Sequence, residues 1–317
     1  MSRIPFHYKI LFFGTPEFAI PSLDTLVKSG YKIVGVVTRP DEPAGRKQLL
    51  APPPVKIRAQ EYNIPVFQPE KLTSDLWKAK IPPADIFIVA AYGKIIPPEV
   101  LQMPKFGALN IHPSLLPRWR GPSPIQSAIL HGDTETGVTI MQLDAEMDHG
   151  PILSQESLAI PPDATYPTLH DILARRGAEL LIRILPEYLA GKIIPLAQDH
   201  AKATFSKLLT KEDGRIDWSR PAEEIERMIR AYAPWPGAWT TMTMRSKEMR
   251  VRIDDARVIS EMREDTVSGT IFSSSAHPLV ITTGKKSLGI VRLTPEGKKT
   301  MDAASFLHGF PEAYIAS

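Results

Sequence analysis

From Tyr8 to about Ile160 the chain alternates short apolar runs with helix-like or loop segments, the runs being YKILFF, KIVGVVT, PVF, DIFIVAA, GALNIH and TGVTIMQLD. Continuous apolar runs of this length, several rich in Ile and Val, are the pattern of strands buried on both faces of an open, mostly parallel sheet. An α/β, Rossmann-like first domain is predicted. Prolines mark the helix starts: Pro21 opens the first and Gly30 falls at its C-cap, a second begins within Pro52, Pro53 and Pro54, and a third begins near Pro124. Residues 166–190 carry Leu169, Ile172, Leu173, Leu180, Leu181 and Ile184 at helical spacing and predict the longest helix, closing the domain.

The periodicity blurs over residues 193–212. Beyond it, Pro221 starts an amphipathic helix with Glu223 and Glu224 in its first turn and Ile225, Met228, Ile229 and Tyr232 on one face. Residues 238–294 then give five β-like segments, WTTMTM, MRVRIDDARVI, TVSGTIF, PLVITT and SLGIVRL, which suggest a small barrel of the oligonucleotide-binding (OB) type. The expected organisation is a domain over 1–193, a linker over 194–211 and a second domain over 212–317.

Composition narrows the chemistry. The chain of 317 residues has no cysteine, which removes disulfides, thiolate nucleophiles and cysteine-ligated metal sites. No apolar run approaches the roughly 18 residues a membrane span needs, and no targeting segment is visible, so a soluble cytoplasmic protein is expected. The net charge of +3 is spread evenly, one net positive charge in each of 1–195, 196–212 and 213–317. Bulk charge therefore predicts no nucleic acid, and any such claim must rest on local features.

Asn110 and His112 end a predicted strand and, by its period of two, lie on the same side of it. At the carboxyl end of a strand in an open sheet this is where ligands bind. The bland alternative is a turn-capping Asn beside a satisfied structural His. Pro113 to Gly121 follow as a rigid, partly apolar loop able to wall a flat ligand, and Asp148, in the turn ending at Gly150, is placed to reach His112. A metal site built from His112, Asp148, His149 and His131 lacks the usual ligand spacing, and the Gly-x-Gly-x-x-Gly fingerprint of a dinucleotide site is missing at Gly14-Thr15-Pro16.

The stretch from Asn110 to Gly121, then Gly132 to Met141 and Met147-Asp148-His149-Gly150, resembles the signature of the 10-formyltetrahydrofolate-dependent formyltransferases. The likeness covers essentially the whole chain. Tyr8 to Ala19 resembles the family's opening strand and turn, Pro40 to Gln48 its flexible loop, and Ala90 to Gly93 the strand end beside the folate. Phe205 to Trp218, Ile229 to Tyr232 and Pro234 to Trp239 resemble the members that formylate methionyl-tRNA.

The resemblance implies 10-formyltetrahydrofolate as donor, methionylated initiator tRNA as partner, no metal and a monomer. It implies Asn110, His112 and Asp148 as the catalytic group. It also implies Ser114, Leu115, Leu116 and Pro117 with Ala91, Tyr92 and Gly93 around the folate, and Arg46 with Lys47 in a loop that enters the tRNA acceptor stem. Three departures stand out. Lys47, Gln48 and Leu49 replace the expected Gly and paired lysines, Pro113 replaces a Gly found in some relatives, and nothing after Lys299 is basic. Second-domain contacts to phosphate would then fall to Arg245, Lys247, Arg250 and Arg252. The alternatives are another user of the same donor, such as a sugar-nucleotide formyltransferase or a formyltetrahydrofolate hydrolase, and a non-catalytic RNA-binding protein.

Overall fold

The fold is described from a computed structural model, over residues 7–44, 49–73, 81–244, 246–261 and 267–315. The chain divides into two compact units. One holds residues 1–124, 135–159 and 170–206, the other 125–134, 160–169 and 207–317.

The first unit is built on a seven-stranded sheet. Its strands are β1 (Lys9–Gly14), β2 (Lys32–Val37), β5 (Val66–Phe67), β6 (Ile86–Ala90), β7 (Ala108–His112), β8 (Glu135–Gln142) and β9 (Ile152–Ala159), in the order β5-β2-β1-β6-β7-β8-β9. From β5 to β7 every pairing is parallel, and the last two pairings, β7–β8 and β8–β9, are antiparallel. The parallel strands are apolar throughout because both faces are covered: Ile10 to Phe13 and Ile86 to Val89 are all buried. A short hairpin, β3 (Glu42–Ala44) with β4 (Leu49–Ala51), brackets the loop expected to touch RNA.

Helix starts follow the prolines. Helix α1 (Ile20–Lys28) has Pro21 in its first turn, and α2 (Pro54–Glu61) and α3 (Pro98–Leu101) begin on proline. Helix α4 (Pro124–Leu130) precedes β8, and the longest helix, α5, runs Tyr166–Leu189. Gly177 of α5 lets the helix approach the sheet closely: a Cβ there would lie 2.6 Å from Ile111 Cγ2 of β7. Ile111 therefore faces α5, and Asn110 and His112 point to the opposite side of the strand.

Residues 198–206, which fall within the expected linker, are hydrogen-bonded along the loop that follows β7. Thr204 N donates to Pro117 O at 3.2 Å, Arg120 N to Thr204 O at 2.9 Å, and Ser206 N to Arg120 O at 2.7 Å. The chain there acts as an extra strip lying on the first unit.

In the second unit α6 (Ala222–Tyr232) packs Ile225 and Ile229 into a core with Trp218, Met242, Val251, Ile253, Leu293 and Phe306. The strands are β10 (Ala238–Met244), β11 (Lys247–Ile259), β12 (Ile271–Phe272), β13 (Val280–Thr282), β14 (Ser287–Pro295), β15 (Met301–Asp302) and β16 (Tyr314–Ile315). Their order is β12-β13-β14-β11-β10-β16, with β15 on β14, and they form a nearly closed antiparallel barrel. Helix α7 (Ala303–Gly309) is capped by Asp302, whose side chain accepts from Ser305 N.

Candidate active site

Strand β7 delivers two polar side chains at its carboxyl end. Asn110 is half-buried and its carboxamide has no protein hydrogen-bond partner among the described residues. His112 is buried, with its ring held between two acceptors: Nε2 lies 3.0 Å from Trp119 O, and Nδ1 lies 3.5 Å from Asp148 Oδ1. A carbonyl can only accept, so Nε2 carries a hydrogen. Nδ1 then faces a carboxylate, and both neighbours are satisfied when the ring carries its second proton and its positive charge.

Asp148 sits in the turn between β8 and β9 at a left-handed φ of 51°, a conformation aspartate tolerates better than most residues. Its side chain is 12% exposed, and Oδ2 accepts from Gly121 N at 2.8 Å. Gly121 itself has φ of 105°, and a Cβ there would lie 2.7 Å from Ser206 O. Only glycine fits, because the strip 198–206 passes directly over it.

The loop between His112 and Gly121 is locked by strands β8 and β9 and by its own hydrogen bonds. Thr139 Oγ1 of β8 donates to Ser114 O at 2.6 Å and accepts from Leu116 N at 3.2 Å, and Gln155 Nε2 donates to Leu116 O at 2.8 Å. Ser114 Oγ donates to Arg118 O, and Leu115 O accepts from Arg118 N. Leu115 rests on Gly137, where a Cβ would lie 2.5 Å from its Cδ2. Within Ser114–Leu116 the Leu115 amide is the one main-chain donor left without a protein partner among the described residues. A ligand against this loop would meet that amide and the half-buried flanks of Leu115 and Pro117, because Ser114 and Leu116 point inward.

At the end of β6, Ala91 and Gly93 are exposed at φ of 45° and 79°. Tyr92 is buried with its ring edge-on to Phe13, and burial pushes its hydroxyl up to about 12. What Tyr92 presents at this strand end is main chain, and its carbonyl already accepts from Thr15 Oγ1 at 2.7 Å.

Arg46, Lys47 and Arg245 lie outside the described residues. Of the other basic candidates, Lys247 is exposed, Arg250 stacks 3.8 Å over the Trp239 ring, and Arg252 pairs with Asp254 at 2.5 Å. Among the described residues no group of three histidine or carboxylate side chains is placed to hold a metal ion. His149 instead pairs with Asp144 at 2.7 Å and stacks on His200 with ring centroids 4.1 Å apart.

Sequence reasoning missed two contributors here, the Trp119 carbonyl and the side chain of Gln198. Gln198 Nε2 donates to Asp148 O at 2.9 Å and to Gly150 O at 2.7 Å. No local pattern marks either: the first is a main-chain carbonyl seven residues along the same loop, and the second acts on a turn about 50 residues earlier in the chain.

Comparison with known proteins agrees with this architecture. Residues 8–185 match the family described as formyl transferase, and residues 208–311 match its C-terminal domain. The methionyl-tRNA formyltransferase of Chloroflexus aurantiacus is 50% identical over 307 residues, covering 95% of this chain and 96% of that one. That of Halorhodospira halophila is 44% identical over 302 residues with the same coverage. Among solved structures, an N-formyltransferase from Helicobacter canadensis in complex with folinic acid and dTDP-3-aminofucose superposes with a TM-score of 0.65 at 19% identity, over 89% of this chain and 99% of that one. HypX from Aquifex aeolicus in complex with tetrahydrofolic acid gives 0.63 at 20% identity, and this chain spans about half of its length. Similarity at that level establishes the fold alone.

Proposed function

The chain belongs to the formyltransferase family, with methionyl-tRNA formyltransferases among its relatives, and on that premise we propose that it transfers the formyl group of 10-formyltetrahydrofolate to the α-amino group of methionyl-initiator tRNA. The observation that carries this reading is identity of 44–50% across both units to proteins bearing that name. The sugar-acting and HypX structures share less than a quarter of their residues with this chain.

The residues at the end of β7 fit a formyl donor. The unpartnered Asn110 carboxamide offers N–H groups to a carbonyl oxygen, the open Leu115 amide offers another, and the flanks of Leu115 and Pro117 offer an apolar wall. The donor supplies an electrophilic formyl carbon on a nitrogen leaving group, so transfer needs no covalent enzyme intermediate.

Negative charge grows on the formyl oxygen as the neutral amine attacks. Asn110 offers a donor to that oxygen, and the buried His112 ring, when protonated, lowers the cost of the charge. Asp148 holds that positive charge at 3.5 Å. It also takes the proton that the attacking amine releases and returns it to the departing nitrogen. Ser114 to Pro117 with Ala91, Tyr92 and Gly93 border the donor, and Arg46 with Lys47 contact the acceptor stem. The protein acts in the cytoplasm as a monomer.

The test is to incubate the purified protein with 10-formyltetrahydrofolate and, in parallel, methionylated initiator tRNA, methionylated elongator tRNA and a dTDP-linked amino sugar. Formyl-methionine forms on the initiator species. Turnover of the amino sugar with none on tRNA would overturn the reading.

A further inference from the structure

We propose that Gln198 is a positioning residue for Asp148, itself oriented by Arg120, so that the strip after the sheet domain sets the geometry of the reaction centre. The kinetic part of this inference rests on the formyl-transfer reading; the geometric part does not.

Gln198 is 6% exposed, and all of its polar capacity is spent on the site. Its nitrogen donates to the carbonyls of Asp148 and Gly150, and its oxygen accepts from Arg120 Nε at 3.1 Å and Nη2 at 2.7 Å. A guanidinium has no acceptor and a carbonyl no donor, so the amide has one permitted orientation. Turned over, it would set oxygen against two carbonyls and NH2 against a cation.

Arg120 is 4% exposed, and no carboxylate lies within ion-pair distance of it among the described residues. Its guanidinium also meets His200 Nδ1 at 2.8 Å, which must accept and is therefore unprotonated there. A buried cation satisfied only by neutral groups is a costly arrangement for packing alone. What it does here is fix the Gln198 oxygen.

The main chain of Arg120 is pinned by Thr204 O and Ser206 N, and the next amide, Gly121 N, donates to Asp148 Oδ2. The adjacent residues 120 and 121 thus grip Asp148 twice, through its carboxylate directly and through its backbone by way of Gln198. The Oδ1 to Nδ1 separation of 3.5 Å depends on both grips. Misplacement by about 1 Å in such a site costs on the order of 100-fold in rate.

Two substitutions separate positioning from packing. Gln198→Glu keeps the shape and gives Arg120 a stronger acceptor, but it removes both donors to the 148–150 turn. Gln198→Met keeps the length without polar ends. Both are compared with wild type and Asp148→Asn in the full-length protein. We expect kcat for formyl transfer to fall about 10- to 100-fold in each, with KM for donor and tRNA within about two-fold. In the Gln198→Met protein, which changes no charge, the pH profile of kcat should shift as in Asp148→Asn. The His112 ring titration of that variant, followed by NMR without substrates, should shift in the same direction as in Asp148→Asn. Unchanged kcat in the Gln198→Glu protein, a loss carried wholly by KM, or a His112 titration identical to wild type would overturn the proposal. If Gln198→Glu does not fold, Gln198→Met carries the same tests. A wild-type protein that formylates nothing, with a His112 titration that still responds to Gln198 substitution, would remove the activity reading and leave this one standing.

Discussion

Asp148 meets His112 across the mouth of the sheet with one carboxylate oxygen 3.5 Å from the ring, while its other oxygen is fixed by the amide of Gly121. The acid is thus held at a set distance by a group that does not take part in proton transfer. Replacing Asp148 with Asn keeps the Gly121 contact and removes the charge. Steady-state kinetics should then show kcat down by about 10²- to 10⁴-fold, with KM for methionyl-tRNA little changed. A variant that lost affinity and kept kcat would contradict the role given to the acid.

Asn110 offers a carboxamide that nothing in the protein occupies among the described residues. Its replacement by Ala should lower kcat by about 10²- to 10³-fold, the usual consequence of removing one donor to a developing oxyanion. The melting temperature should barely move, because no internal hydrogen bond is lost. A large drop in melting temperature would mean that the side chain serves the fold.

Gly121 combines a φ of 105° with so close an approach of the neighbouring strip that an added Cβ would sit 2.7 Å from Ser206 O. Gly121→Ala should therefore destabilise the first unit by about 1–3 kcal/mol and, by shifting the amide that holds Asp148, depress kcat as well. Calorimetry and single-turnover rates on the same preparation check both halves.

Asp213, in the second unit, is held below its ordinary carboxylate range first by the hydrogen bond from Lys207 and further by the amide and hydroxyl of Thr210. A depressed carboxyl contributes stability that is complete above its unfolded value of 3.8 and disappears as pH falls through the lower folded value. The difference in melting temperature between wild type and Asp213→Asn should thus be steady near neutrality and shrink as pH falls below 3.8. A difference that grew on acidification would refute this assignment.

Much of the sheet was legible because burial on both faces forces continuous apolar runs, as in Ile10 to Phe13 and Ile86 to Val89. Strand β9 escaped notice for the opposite reason. It lies at the sheet edge with alternating exposure, so Ser154, Gln155, Glu156 and Ser157 read as polar loop. The β3–β4 hairpin is similarly short and exposed. At the site, the period of two placed Asn110 and His112 on one side of β7, and the turn containing Asp148 was visible from its glycine. The oxygen of Trp119 and the amide of Gln198 were not, since a backbone carbonyl has no sequence signature and a glutamine in a stretch of mixed periodicity looks like solvent-exposed chain.

The strip over residues 198–206 also bears on the order in which the molecule is made. A nascent chain that has released residues up to Leu189 has exposed all seven strands and the long helix of the first unit. Yet nothing at that stage restrains Arg120 through Thr204 and Ser206, or the 148–150 turn through Gln198. The sheet can condense during synthesis, whereas the 148–150 turn acquires its final form only after the segment leading into the second unit has emerged from the ribosome.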